Sequence, residues 1–376
     1  RGACALWRNR GCGTGAKRNE HVGLRLIMDD DAALSAAIAA HLLPDPPEKL
    51  GVAVSGGGDS MALLALADDF ARAQGVQVHV ISVDHGLRSG VREELALVAA
   101  FCAARGLPHQ VETWSGWDGA GNLQGAARAA RYHLINQWAD SVGLATVLLG
   151  HTADDQAETL MMRLARGAGV DGLSAMAPRR VRDGVTYVRP LLDITRAELR
   201  AYLGRHGIAW ADDPSNDDTS FARVAMRQAL TQLEPLGLTA KTLAGVARNM
   251  RQSREALNWQ AFQAARDVAQ VQCGAVRVDV QKFRDLPTEI SRRLLVQAVM
   301  WINGGGYPPR RAGIAGVQAA VNDGRTTTLD GCQISFAGPV MWIYRELNAV
   351  RDSTSKLDGV WDNRWRVDGP ENNPGW

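Results

Sequence analysis

The sequence contains no apolar run of the roughly 18 to 20 residues that a membrane-spanning helix needs. Its nearest approach, DAALSAAIAAHLL at 31–43, is too short and too rich in alanine, and a membrane span is set aside. Cysteine is scarce: Cys4, Cys12, Cys102, Cys273 and Cys332 are odd in number, widely scattered and include no C-x-x-C pair. That excludes a disulfide framework and a thiolate metal cage, and it points to a reducing, cytoplasmic setting. The chain lacks a charge bias, at a net +2, and it lacks internal repeats and low-complexity tracts.

What is present is 376 residues, 46% of them hydrophobic, enough for two domains with separate cores. The charges are unevenly placed. Between Arg179 and Arg205 seven arginines (179, 180, 182, 189, 196, 200, 205) face three acids, and between Arg223 and Arg254 six Lys or Arg face Glu234 alone. A local excess of this kind is expected of a polyanion-binding face, although a solvated helix surface has the same composition. Residues 1–27 carry six Lys or Arg against Glu20 and show no periodicity. We expect them to be an upstream extension outside the fold, with Met28 the natural start.

From residue 50 to 205 short apolar runs alternate with segments of helical spacing. The runs are 51–55, 76–84, 109–114, 145–151 and 186–191, and the helical segments between them include MALLALADDFARAQ and DDQAETLMMRLARG. This cadence predicts an α/β fold with a doubly wound parallel sheet. Ligands on such sheets sit beyond the carboxyl ends of the strands. Residues 55–60, 84–88 and 150–155 each follow a strand and should converge on one rim, bringing Asp84, His85 and His151 to a nucleotide site. After residue 215 the pattern becomes mainly helical with a small β-rich end around Asp330 and Gly331. The expected division is 28–213 and 214–350, with 351–376 a tail.

The loop between the first run and its helix reads VSGGGDS. Gly56, Gly57 and Gly58 permit a sharp turn and close backbone approach to a ligand, and the helix that follows presents its amino-terminal dipole. Plain strand-to-helix packing would use the same glycines. No Lys follows, so this is not the G-x-x-x-x-G-K-[ST] loop. It resembles the S-G-G-x-D-S loop of the PP-loop ATPases, and that resemblance implies that Ser55, Gly56, Gly57, Gly58 and Ser60 cradle the pyrophosphate leaving ATP. Asp59 beside phosphates would be repulsive without a cation, which implies Mg²⁺; its other reading is a first-turn helix charge.

Further segments narrow the family. VDHGLRSGVREE (83–94), NLQGAARAARYHLINQWA (122–139), LLGHTADDQAETLMMRLARGAGVDGLSAM (148–176), VRPLLDITRAELRAYL (188–203), DDPSNDDTSFARVAMRQAL (212–230) and the stretch 307–347 together resemble the tRNA(Ile)-lysidine synthetases. The resemblance covers roughly 48–350 and implies an ATP-dependent ligase that joins L-lysine to the wobble cytidine of tRNA(Ile), with ATP and Mg²⁺ required and a homodimer left open.

That chemistry needs a free amine, a base and cations. Freeing the lysine amine at pH 7 costs about 4 to 5 kcal/mol. Asp154, Asp155 and Glu158 are the candidates to hold and deprotonate it, with Asp154 and Glu158 four apart on one helical face; Asp154 as a helix cap is the alternative. Arg128 and Arg131, and Arg223 and Arg227, are spaced to present paired charge to the α-phosphate. Where the family reads F-x-R-N, this chain has Phe221, Ala222, Arg223, Val224. Lys241, Arg248, Arg251 and Arg254 are expected to meet RNA phosphates. Trp114, Trp117 and Tyr132 would either stack on bases or pack in the core. A tRNA thiolase is the rival within the same loop class, disfavoured by the missing cysteine pair. A small-molecule amidating ligase leaves the Arg-rich stretches unexplained. A binding module without chemistry is disfavoured by four carboxylates at the site.

Overall fold

A computed structural model describes residues 30–366 apart from 85, 87–89, 115–122, 213–221, 306, 356–358 and 363. The expected boundary near Asp213 therefore lies outside the described residues, as do His85, Trp117, Phe221 and the segment 1–27.

Six strands build the first sheet: β1 (Lys49–Ala53), β2 (Gln77–Asp84), β3 (His109–Thr113), β4 (Thr146–Leu149), β5 (Arg179–Arg182) and β6 (Val185–Val188). Their order is β3-β2-β1-β4-β6-β5, and every pairing is parallel except β5 with β6. The five anticipated strands are all present. β5 was not anticipated from periodicity, because RRVR is polar. It forms the edge of a hairpin turning at Asp183 and Gly184, both at positive φ.

The helices of this half are α1 (Asp30–Leu42), α2 (Gly58–Gln74), α3 (Val91–Arg105), α4 (Leu123–Val142), α5 (Ala153–Leu164), α6 (Val170–Leu173) and α7 (Arg196–Arg205). One core joins α1, α2, α3 and α7 through Ile38, Leu63, Leu64, Val98 and Leu199 against Leu50 and Val52. A second core places Tyr132, Ile135 and Trp138 of α4 against Ile81, Val147 and Tyr187. α2 is buried from Ser60 through Asp68, as a helix apolar on all sides must be. The one charge in that run, Asp68, is compensated by Arg72 at 3.0 Å and Arg105 at 2.9 Å.

The second half contains α8 (Ala222–Leu233), α9 (Ala240–Val268), α10 (Val280–Arg284), α11 (Thr288–Ile302), α12 (Arg311–Asp323) and α13 (Leu347–Val350). Its strands are β7 (Ala269–Gln272), β8 (Ala275–Asp279), β9 (Thr327–Leu329), β10 (Cys332–Ala337) and β11 (Val340–Arg345), with a small pair β12 (Val360–Trp361) and β13 (Trp365–Arg366). The first five form an antiparallel sheet in the order β7-β8-β11-β10-β9. The end of the chain is thus richer in strand than expected, since β7 and β8 add a second hairpin directly after the long helix.

The 29 residues of α9 extend about 44 Å and connect the halves. Near its start Leu243 and Ala247 pack on Ala157, Leu160 and Ala175; near its end Ala261 and Ala264 pack on Ile290. Ion pairs from Asp171 to Arg292 and Arg293, each 2.7 Å, reinforce the junction. No helix among the described residues is long and apolar enough to cross a membrane.

Candidate active site

The sheet order reverses between β1 and β4, where loops leave in opposite directions and open a crevice. The loop after β1 enters that crevice. Gly56 has φ 88°, and a Cβ there would lie 2.8 Å from the Cβ and carbonyl oxygen of Glu94. Conformation and space both demand glycine. Gly57 caps α2 in an extended conformation, leaving the first-turn N–H groups of Gly58, Asp59 and Ser60 without helical acceptors and favourable to an anion. Ser60 is buried, accepts from the Ser55 N–H at 3.1 Å and donates to the Gly57 carbonyl at 2.9 Å. Its hydroxyl shapes the loop from within, while Ser55 is exposed. The segment after α7 braces the other side, with the Ala211 N–H donating to the Gly56 carbonyl at 3.0 Å. Gly150 at the end of β4 lies so close that a Cβ would sit 3.1 Å from the Asp59 carbonyl.

The next rim segment carries the carboxylates. Thr152 caps α5 and forms a capping box with Asp155, so the cap is Thr152 and not Asp154. Asp154 instead accepts from the backbone N–H of Arg196 at 2.9 Å. The Arg196 side chain then reaches three acids: Nε to Asp59 at 3.0 Å, Nη2 to Asp155 at 2.8 Å and Nη1 to Glu158 at 3.3 Å. Glu158 is 1% exposed. It also accepts from Arg227 Nε at 2.9 Å, and Arg223 Nε lies 3.2 Å from its second oxygen, within charge attraction but outside hydrogen-bond alignment.

These contacts leave the acids electrostatically unequal. Burial pushes the Asp59 carboxyl up to about 6, the nearby Asp155 adding to the rise and Arg196 opposing it. Burial also works to raise Asp155, but Arg196, His151 and the Thr152 N–H outweigh it and hold that group below the ordinary carboxylate range. For His151 burial dominates, with Arg189, Arg128 and Arg223 adding to it, and the imidazole falls to about 4 despite Asp155. His151 is neutral at physiological pH, and its buried Nδ1 has no hydrogen-bond partner among the described residues. Arg196, although desolvated, is held firmly protonated by Asp155, Glu158 and Asp59.

The other expected residues distribute as follows. Asp84 ends β2 and accepts from the Gly86 N–H at 2.8 Å, shaping its own turn. Arg128 and Arg131 are exposed on α4, and the Arg128 guanidinium lies 5.3 Å from the centroid of Tyr132. Tyr132 is buried in the core, which removes it as a base-stacking candidate. Arg223 and Arg227 present one face of α8, as their spacing predicts, but that face meets Glu158. Of the α9 cations, Lys241 pairs with Glu198 at 3.1 Å and Arg248 with Asp193 at 2.7 Å. Both pairs join solvent-exposed side chains, and Arg251 and Arg254 form no ion pair among the described residues. Arg196 was counted only as part of a basic stretch; its central place depends on a contact across 137 residues that no local spacing reveals.

Beside the carboxylates is a cavity of about 120 Å³ whose lining includes Asp154, Glu158, Arg196, Arg227 and Leu230. Its lining combines charged side chains with the apolar Leu230 and Leu238.

The PP-loop domain family matches residues 31–234. The tRNA(Ile)-lysidine synthase of Ruegeria pomeroyi is 52% identical over 334 residues, covering 89% of this chain and 80% of that protein. Proteins of the same description from Bradyrhizobium diazoefficiens and Wolbachia pipientis are 38% identical over 345 residues and 32% identical over 327, covering 94% and 76% of their own lengths. Among solved structures, the U34-tRNA thiolase NcsA from Methanococcus maripaludis with its [4Fe-4S] cluster superposes with a TM-score of 0.52, covering 60% of this chain and 79% of that chain, at 16% identity. At that identity the likeness concerns the fold alone.

Proposed function

The chain belongs to the PP-loop domain family and, within it, to the tRNA(Ile)-lysidine synthases, and from that premise we propose how its site performs the reaction. The enzyme is a carbon–nitrogen ligase that joins L-lysine to the wobble cytidine of an isoleucine tRNA with a CAU anticodon, using ATP. Cytosine O2 attacks the α-phosphorus and pyrophosphate leaves. The lysine ε-nitrogen then attacks ring carbon C2, the C2–O bond breaks and AMP departs.

In the first step the N–H groups of Gly58, Asp59 and Ser60, with the exposed Ser55 hydroxyl, take the leaving phosphates. Asp59 has one oxygen on Arg196 and a carboxyl raised to about 6, the signature of an anion short of compensating charge. A hard dication beside phosphate fits such a group; Mg²⁺ held there would neutralise charge on the departing pyrophosphate. Arg128, exposed on α4, and the neutral His151 after β4, which feels its charge, would meet the nucleotide in this reading.

For the second step, the observation that carries the reading is the cavity lined by Asp154, Glu158 and Leu230. Leu230 suits the lysine methylenes, and the carboxylates of Asp154 and Glu158, with Glu234 also in the lining, suit its ammonium. Arg196, Arg223 and Arg227 already compensate Glu158, so an entering ammonium finds like charge around its partner. Like charge favours the neutral amine, which lowers the 4 to 5 kcal/mol cost of freeing it, and a carboxylate accepts the proton. Arg251 and Arg254 on α9, with Arg179 and Arg180 on β5, would hold RNA phosphates and fix its register without choosing the base. One chain carries every group this reading uses, so a homodimer is not required, and we place the enzyme in the cytoplasm.

Sulfur transfer is disfavoured because the sequence has no cysteine pair; of the described cysteines, Cys102 and Cys332 are buried, with burial raising both thiols to about 11, and the exposed Cys273 stands alone in the turn between β7 and β8 of the second half. The test is incubation with isoleucine tRNA bearing CAU, ATP, Mg²⁺ and labelled lysine. Label should enter the RNA only when ATP is present; AMP formation without label in the RNA would overturn the lysine assignment.

A further inference from the structure

We infer that Arg196 is the positioning residue that couples the two half-reactions, holding the pyrophosphate-side Asp59 and the lysine-side Glu158, together with Asp155, on one rigid guanidinium. The inference rests on the ligase reading above and adds to it a residue that joins the steps.

Three observations carry it. The first is connectivity: three side-chain nitrogens of Arg196 each hold a different carboxylate, at 3.0, 2.8 and 3.3 Å, while its backbone N–H holds Asp154 at 2.9 Å. All four acids at the site therefore converge on one residue, although they come from the first turn of α2 and from α5. The second is placement. Arg196 is the first residue of α7, where the helix dipole is least favourable to a cation, and the start of the helix is fixed independently by the Thr195 and Glu198 capping box. A helix chosen for its own stability would not put arginine there. The third is rigidity. The planar guanidinium cannot turn one N–H without turning the others, so a change at Glu158 is felt at Asp59.

An ammonium entering the cavity competes with Arg196 for Glu158, whose contact is the longest of the three. Lysine occupancy thus alters the hold on Asp59, and by reciprocity ATP occupancy alters lysine affinity. The result is that lysine held in register outcompetes water at the adenylated cytidine. When Arg196 no longer holds that register, water competes with the misplaced lysine: it attacks C2, the C2–O bond to AMP breaks, O2 is restored as cytidine, and one ATP is spent as AMP and pyrophosphate.

The experiment measures pyrophosphate released per lysidine formed, and the lysine KM, in the wild type and in Arg196→Lys. Wild type should give a ratio near one. Lysine at this position keeps the charge but has no fork, so the ratio should rise severalfold at saturating lysine and the lysine KM by about tenfold or more. A ratio of one with an unchanged lysine KM overturns the inference, whatever the total rate, because a merely structural residue would lower rate without altering the partition. A second measurement needs no variant: the Arg196 Nε–H resonance of the wild-type enzyme should shift on adding lysine alone and on adding Mg·ATP alone. A shift with neither or with only one overturns the coupling. Wild-type enzyme that releases pyrophosphate but never forms lysidine would instead overturn the ligase reading.

Discussion

Replacing Asp59 with Asn should stabilise the folded protein while abolishing its chemistry. Asp59 has its carboxyl raised from an ordinary 3.8 to about 6, chiefly by burial, and its side chain is 23% exposed. The folded state therefore holds this proton more tightly than the unfolded chain does. Stability from that group is fully present below about 3.8 and is lost as pH rises through about 6. At 1.36 kcal/mol per pKa unit, ionised Asp59 costs the apo protein about 3 kcal/mol at pH 7. Asparagine is isosteric and neutral, and its Oδ1 still accepts from Arg196 Nε. Asp59→Asn should gain up to about 3 kcal/mol at neutral pH, or about 6 to 12 °C in melting temperature for a unit of this size. The gain should shrink as pH falls from 6 and vanish near 4. Thermal melts of wild type and variant without ligand, at pH 7.5 and in steps down to pH 4.5, read this directly, alongside tRNA-dependent pyrophosphate release. A variant less stable than wild type at pH 7.5, or a gain independent of pH, refutes the electrostatic account. Retained activity removes Asp59 from the site.

Other expectations follow from the same geometry. Glu158→Gln removes the one buried carboxylate that three arginines share, and should destabilise by about 3 to 5 kcal/mol. It should abolish lysine transfer while tRNA-dependent pyrophosphate release falls by no more than about tenfold. Gly56→Ala meets both φ 88° and a 2.8 Å contact; it should cost about 1 to 3 kcal/mol in urea unfolding and weaken ATP binding measured by calorimetry. Arg254→Ala should raise the tRNA KM and reduce the magnitude of its logarithmic salt slope by about one, leaving the lysine KM unchanged.

The sequence was most informative where a local rule and a tertiary demand coincide. VSGGGDS declared a strand, a left-handed turn and a helix start, and Gly56 needs its glycine for both torsion and space. The face shared by Asp154 and Glu158, and that of Arg223 and Arg227, followed from helical spacing. What those faces meet did not, because spacing gives direction along one helix and says nothing of the partner. Arg223 and Arg227 turned out to hold Glu158. Lys241 and Arg248, which composition assigns to RNA, also meet Glu198 and Asp193 in exposed surface pairs. The hairpins of β5 and of β7 with β8 escaped detection because RRVR carries a single apolar residue, while AQVQ alternates over only four residues directly after the long helix α9. Arg196 was hidden in a basic stretch; the only local hint was a cation opening a helix whose dipole disfavours it.

The central claim is that the RNA base, not the amino acid, is activated, and that one site carries both steps. It is tested most directly with ATP labelled at the α-phosphate, given to the enzyme and the CAU-bearing tRNA without lysine and then chased with lysine. The account predicts label joined to the tRNA before the chase, released as AMP on adding lysine, with one lysidine formed for each AMP. Label appearing on lysine, or no labelled tRNA at any time, would contradict it.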